Sequence, residues 1–237
     1  DHRESRGLGD VYKRQGRMVG AYQYMNKETE DYFHPAPDAQ AIFIEAAGNE
    51  CHSTFDCVWG FPGVDADDPT KLLLAIICHL GVFAQNKLPY GPKQCPAIYQ
   101  SIQDEIFGNE RKPSGEPLAH IFVDDTYIGD KDKETHFKSL EQVLHKARKY
   151  GIQYRFVKSQ ICMAEVALLG FVTGRGGRYP DPKKTDQLCN WPEYKSCADI
   201  VSHLFFASYL REFLGPDFIT LSAPLAKYRK KGADFNT

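Results

Sequence analysis

No Cys-x-x-Cys pair occurs in this sequence, and its seven cysteines, Cys51, Cys57, Cys78, Cys95, Cys162, Cys189 and Cys197, are an odd number. The usual zinc-ligand spacing is therefore absent, no disulfide framework is suggested, and a reducing compartment is the plain reading. Long apolar runs are missing too. Stretches such as Leu72–Cys78 fall far short of the roughly 20 residues that cross a bilayer. No basic-then-apolar leader is read at the start, so no membrane partner is expected. There is no internal repeat and no low-complexity tract. What remains is a chain of 237 residues, 42% hydrophobic and 25% charged, enough for one large domain or two small ones around a globular core.

Charge is balanced overall but not along the chain. Residues 16–130 hold 7 Lys/Arg against 17 Asp/Glu, whereas residues 131–237 hold 18 against 11. An acidic half suited to cations followed by a basic half suited to a phosphate backbone fits a nucleic-acid polymerase, and equally a protein with a solvated basic face.

Periodicity and punctuation predict a mixture of strands and helices without βαβ regularity, an α+β pattern. Gly16–Asn26 opens with residues suited to a strand, and a polar loop follows through Pro37. Ser53–Val58 is a short strand ending on Asp56. The apolar run Lys71–His79 and the segment Val82–Leu88 read as strands of a sheet buried on at least one face. Ile98, Tyr99, Ile102, Ile106 and Phe107 recur at helical spacing, with Pro96 at the start and Gly108 as the stop. Ala119–Val123 and Thr126–Ile128 flank Asp124-Asp125, which suggests a hairpin carrying both carboxylates at its tip. Phe137, Leu140, Val143, Leu144 and Ala147 mark an amphipathic helix ending at Gly151, and Ile152–Val157 alternates. The 174–177 segment turns the chain, and Ala198–Phe213 is a further helix.

Asp56 at one strand end and Asp124-Asp125 at a hairpin tip form the constellation with chemical content. Nucleotidyl transfer needs divalent cations more than covalent help, and Mg²⁺ takes hard oxygen ligands of this kind. On spacing alone the signal is weak, since Asp-Asp pairs are common in solvated turns.

The surrounding blocks are more specific. RMVGAYQYMNK (17–27), FDCVWGF (55–61), LPYGPKQCPAIYQ (88–100), FVDD (122–125), YGI (150–152), LLGFV (168–172), YPDPKK (179–184), NWP (190–192) and SAPL (222–225) occur in an order that resembles the reverse transcriptases of gypsy-type long-terminal-repeat retrotransposons. The resemblance implies a right-hand polymerase, with a palm of ferredoxin-like split βαββαβ form. Partial fingers would occupy residues 16–52, the palm with a fingers insertion 53–173, and the start of a helical thumb and connection 174–237. It implies RNA-directed DNA synthesis with two Mg²⁺ ions, Mn²⁺ being a substitute, on an RNA or DNA template with primer and dNTPs. Ribonuclease H and integrase regions of a parent polyprotein are further expected partners, and a cytoplasmic particle is the family setting. A catalytically silent nucleic-acid-binding remnant is the alternative.

Matched position by position, Asp56, Asp124 and Asp125 correspond to the catalytic aspartates, and the Cys57 carbonyl to a metal ligand. Phe61 matches the aromatic that excludes a ribose 2′-hydroxyl. Tyr90 and Gly91 shape the nucleotide pocket, and Arg17 matches the fingers arginine that meets the triphosphate. Trp191, Tyr209 and Phe213 are assigned to thumb core.

Departures from the pattern are Ala21 and Gln23 for the usual Asp and Arg, Trp59 for a small polar residue, and Pro62-Gly63 for a His-Gln-like pair. Ile161 replaces a lysine proposed as general acid, and Lys158 lies nearby but out of register. SRGLGDVYKRQ (5–15) reads as the translation of a sequencing adaptor, so residues 1–15 are set aside as an artefact. The chain is then expected to start inside the fingers and stop before ribonuclease H, with little polymerase activity of its own.

Overall fold

The computed structural model describes residues 20–35, 37–58, 60–229 and 233. In chain order its first elements are helices α1 (Gln23–Glu28) and α2 (Ala39–Ala47), strand β1 (Cys51–Asp56), helix α3 (Asp68–Leu73), strands β2 (Ile76–Cys78) and β3 (Gly81–Phe83), and helix α4 (Cys95–Phe107). Strands β4 (His120–Phe122) and β5 (Asp125–Asp130), helix α5 (Lys133–Lys149) and strand β6 (Gln160–Met163) follow. The remainder is β7 (Glu165–Leu168), β8 (Phe171–Gly174), β9 (Gly177–Pro180), and helices α6 (Pro182–Cys189), α7 (Cys197–Tyr209) and α8 (Asp217–Ser222).

The series β1-α4-β4-β5-α5-β6 is a βαββαβ unit, and its strands hydrogen-bond in the order β4-β5-β1-β6. That is the palm arrangement the resemblance implied. Contacts group the described residues into two compact units, those up to Asp38 with Phe55–Ile128 and Phe137–Ser159, and Ala39–Thr54 with Gly129–His136 and those from Gln160 on.

In the first unit, Phe55, Ile106, Phe107, Leu118, Ile121, Ile128, Leu140, Val143 and Ala147 bury one continuous core. Helices α4 and α5 end where the sequence says they should, each for a physical reason, whereas α7 stops at Tyr209 and gives way to a 3-10 turn at Arg211–Phe213. At the end of α5 the Gly151 N–H donates to Arg148 O and the Ile152 N–H to Ala147 O, a Schellman pair closed by Gly151 at φ +73°. Gly108 follows α4 with an ordinary helical φ. Its hydrogen side chain is needed because a β-carbon there would collide with the Asp104 carbonyl.

Three local expectations are corrected. Residues 23–28 are helical where a strand was read in the segment to Asn26. The run from Lys71 is not a buried strand: Asp67 caps α3 by accepting the Thr70 N–H at 3.0 Å, with Pro69 in the first turn. The following β2–β3 hairpin leaves Ile77, Val82 and Phe83 exposed. Residues 152–157 make only the isolated bridge Cys57–Tyr154 and a 3-10 turn at Phe156–Lys158.

In the second unit, β7, β8 and β9 form an antiparallel sheet in that order. The Arg178 guanidinium carbon lies 4.2 Å from the centre of the Phe43 ring, and Nη2 donates to Gln40 and Glu212. Tyr209 stacks on Phe171 with centroids 4.9 Å apart, Phe213 packs against the same ring, and Trp191 stacks on His203.

The same unit contains a Ser-His-Asp chain: Ser53 Oγ lies 2.7 Å from His136 Nε2, and His136 Nδ1 lies 2.8 Å from Asp130 Oδ2. The order is that of a hydrolase triad, but Ser53 and His136 are 0% exposed and Asp130 3%, so no substrate reaches them. Their role is structural. The register between β1 and β6 shifts after His52, with Cys162 at φ +52° on the bulged side. Its displaced N–H donates to Ser53 Oγ at 2.9 Å. Ser53→Ala removes partners from a half-buried N–H and a buried imidazole together, and should lower unfolding free energy by about 1–3 kcal/mol. Urea unfolding of the variant beside the parent measures it; a change within error would refute the bulge clamp.

Candidate active site

The sheet order explains why three distant carboxylates meet. Cys57 N–H donates to Asp124 O at one end of the β1–β5 pair and Glu50 N–H to Asp130 O at the other, so the strands run antiparallel. The C-terminal end of β1, Asp56, must then lie beside the start of β5, where Asp124 and Asp125 stand. β4 and β5 pair as a hairpin with Phe122 opposite Asp125, leaving Val123-Asp124 as a two-residue turn. Asp124 is thus at the tip and Asp125 opens the strand.

Electrostatics record the crowding. Asp125 reaches the surface, yet its carboxyl pKa is pushed above the usual range by partial withdrawal from water, then by the carboxylates of Asp56 and Asp124, with Lys158 opposing. Burial is also the main cause that pushes the neighbouring Cys57 thiol up to about 11, with the three aspartates adding to it. Asp56 Oδ2 is shielded from solvent and accepts no hydrogen bond; Arg155 Nη1 at 3.5 Å and Lys158 Nζ at 3.7 Å face it. Both cations arrive on the segment after α5, anchored where the Arg155 N–H donates to Asp56 O at 2.8 Å. Sequence reasoning passed over Arg155 and set Lys158 aside as out of register; the alternation of 152–157 was the available signal. Ile161 is 43% exposed on β6 and supplies no cation.

Gly60 leaves room for the same cluster: a β-carbon there would strike Asp124 Oδ1 and turn that carboxylate aside. Next to it, Phe61 begins a 3-10 turn and packs on Tyr90 and Tyr99, with centroids 5.5 and 5.6 Å away. Gly91 takes φ +121°, a conformation that side-chain-bearing residues avoid. Asn26 braces this turn by donating to Gly91 O and accepting the Lys93 N–H. The structure therefore groups Asp56, Cys57, Asp124 and Asp125, and separately joins Phe61 to Tyr90. Arg17 and Trp59 lie outside the described residues, as do residues 1–15. Among the described residues no group of three His, Cys, Asp or Glu is arranged as a ready metal site. A cavity of about 470 Å³ is lined by Cys57, Gly60, Tyr99 and Gln103, but by none of the three aspartates.

A raised carboxyl pKa means that the folded state binds the proton more tightly, so the repulsion is absent below the ordinary carboxyl range and grows as pH rises through it. Asp125→Asn should accordingly raise the thermal midpoint at neutral pH, without divalent cations, by roughly 1–3 °C. The gain should fade below about pH 4. Melting curves from pH 3 to 8 test this; a gain independent of pH would sink it.

The family profile described as "Reverse transcriptase (RNA-dependent DNA polymerase)" matches residues 12–173. The "Retrovirus-related Pol polyprotein from transposon opus" of Drosophila melanogaster is 28% identical over 213 residues, which is 90% of this chain and 21% of that protein. The "Enzymatic polyprotein" of Cauliflower mosaic virus (strain D/H) is 30% identical, over 78% of this chain and 27% of its own length. The chain thus spans about a fifth to a quarter of these curated relatives. Among solved structures, a foamy viral protease-reverse transcriptase in complex with an RNA/DNA hybrid superposes with TM-score 0.78 at 22% identity, over 90% of this chain and 28% of that one. A foamy viral protease-reverse transcriptase dRH in complex with double-stranded DNA gives 0.81 at 23%, over 92% and 38%. At that identity the likeness speaks for the fold. With the family profile covering more than half of the sequence, the chain belongs to the reverse transcriptase (RNA-dependent DNA polymerase) family.

Proposed function

We propose that this chain is the polymerase part of a gypsy-like retrotransposon polyprotein, and that it extends a primer 3′-hydroxyl with dNTPs on an RNA or DNA template. The observation that carries the reading is the convergence of Asp56 with Asp124-Asp125 at one end of the β1–β5 pair. Palm, fingers and thumb would follow the boundaries at residues 53 and 174, with residues 1–15 an adaptor translation. The family profile match begins at residue 12 and so overlaps that segment by four residues.

The donor set suits two Mg²⁺ ions or Mn²⁺: hard carboxylate oxygens, one of them solvent-shielded and without a hydrogen bond. Bound ions would supply the positive charge that activates the hydroxyl and steadies the triphosphate. Asp56 and Asp124 would hold them, Asp125 would support, and the Cys57 carbonyl would add a neutral ligand. Arg155 and Lys158 meanwhile offset the charge of Asp56. Phe61, backed by Tyr90 and Tyr99, would form the floor under the sugar, and Gly91 would let the backbone come close to the nucleotide. Arg17 would meet the triphosphate. The basic 131–237 stretch would follow the duplex through phosphates and sugars, an affinity that weakens steeply with salt. The complex of the foamy viral relative with an RNA/DNA hybrid supports that partner class. Ribonuclease H and integrase regions would be neighbours in the polyprotein, and a cytoplasmic particle its setting.

One observation favours the silent-remnant alternative: two cations, Arg155 and Lys158, already face Asp56. Template-primed dNTP incorporation separates the two. The polymerase reading expects incorporation that falls by about 10³-fold or more in Asp124→Asn, with duplex binding retained. Duplex binding with no incorporation by the parent favours the remnant. In an active parent, Phe61→Ala should raise ribonucleotide use relative to deoxyribonucleotide use; an unchanged ratio would remove Phe61 from the sugar pocket.

A further inference from the structure

The tip that carries Asp124 and Asp125 is held in an unfavourable backbone state. Two-residue hairpin turns with positive φ at the first central position favour glycine there. This one has Val123 at φ +54°, a β-branched residue in the left-handed region. Something must hold it, and the local hairpin offers only β4 and β5 themselves.

Gln100, on the buried face of α4, meets the turn from below. Its Oε1 accepts the Val123 N–H at 2.8 Å. Its Nε2 donates to Ile121 O at 3.1 Å and to Asp104 Oδ1 at 2.9 Å. The amide orientation is fixed by this set, since the nitrogen faces two acceptors and the oxygen faces a donor. Gln100 is 3% exposed, so no water competes for these bonds. Asp104, one helical turn on, is itself anchored: its Oδ2 lies 2.6 Å from His34 Nε2. The turn is therefore tied at residues 121 and 123 to one side chain whose own rotamer is locked by a third group.

We infer that Gln100 is a positioning residue, which holds the strained Val123-Asp124 turn and so fixes where Asp124 and Asp125 present their carboxylates. The inference rests on the reading of those aspartates as metal ligands, and nothing in the spacing of the sequence pointed to it.

The 237-residue chain is used for the test, with Gln100→Met, Val123→Gly and the double variant. Two quantities are measured: exchange of the residue-123 amide by NMR, and Mn²⁺ affinity from paramagnetic broadening. Methionine keeps the length of the side chain but neither accepts nor donates as an amide does. In the parent background Gln100→Met should speed exchange at residue 123 and weaken Mn²⁺ binding, each by about tenfold. With glycine at 123, where positive φ is unstrained, the same substitution should weaken Mn²⁺ binding by less than about threefold. Unchanged exchange in Gln100→Met, or an equal loss of Mn²⁺ affinity in both backgrounds, would overturn the inference. Should Gln100→Met not fold, a folded double variant supports the clamp and an unfolded one refutes it. Asp124→Asn keeps the two readings apart. If it binds Mn²⁺ like the parent, the aspartates are not the ligands, while the exchange measurement still decides whether Gln100 holds the turn.

Discussion

Three carboxylates crowd the point where β1 ends and β5 begins, and their mutual repulsion is the constraint to which the neighbouring structure answers. Partial burial, and then Coulomb repulsion from Asp56 and Asp124, raises the proton affinity of Asp125. Their positions are not free to relax, because Asp56 is held through its carbonyl by the Arg155 N–H and Asp124 through its carbonyl by the Cys57 N–H. Backbone pairing in the sheet is strong enough in aggregate to keep like charges together that side chains alone would let drift apart. Arg155 and Lys158 then supply the opposite charge at one edge of the group.

A site assembled against repulsion has to be rigid, and the rigidity here is found in small exceptions to local preference. Gly60 leaves room for the Asp124 carboxylate, and Gly91 adopts a backbone angle closed to larger residues. Val123 takes a positive φ without being glycine. Such positions persist only where surrounding structure over-determines them. Gln100 and Asp104 do so at the hairpin tip, and Asn26 does so at the 91–93 turn.

In the second unit one set of buried polar groups is paired with its own members. Ser53 serves both the bulge at Cys162 and the imidazole of His136, which in turn meets Asp130. Their geometry resembles a nucleophilic triad, but their burial removes that chemistry and leaves a device that fixes the β1–β6 register. Register matters there because a one-residue slip would turn every side chain of the strand to the opposite face.

Helix ends were legible from the chain alone. Pro96, Gly108 and Gly151 act within a turn of their own position, so α4 and α5 end where composition says. The ordered blocks gave the family and, with it, the βαββαβ plan. Local reading failed where a neighbour decides the outcome. The apolar run from Lys71 looked like buried strand, but burial depends on what packs above it, and Ile77, Val82 and Phe83 stay exposed. Asp56, Asp124 and Asp125 could be picked out as a set by sequence. That Arg155 and Lys158 face Asp56, and that Gln100 holds the turn at Val123, came only from the fold. Those contacts join residues tens of positions apart, and a periodicity of two or 3.6 residues carries no information about which distant side chain the fold brings within 4 Å.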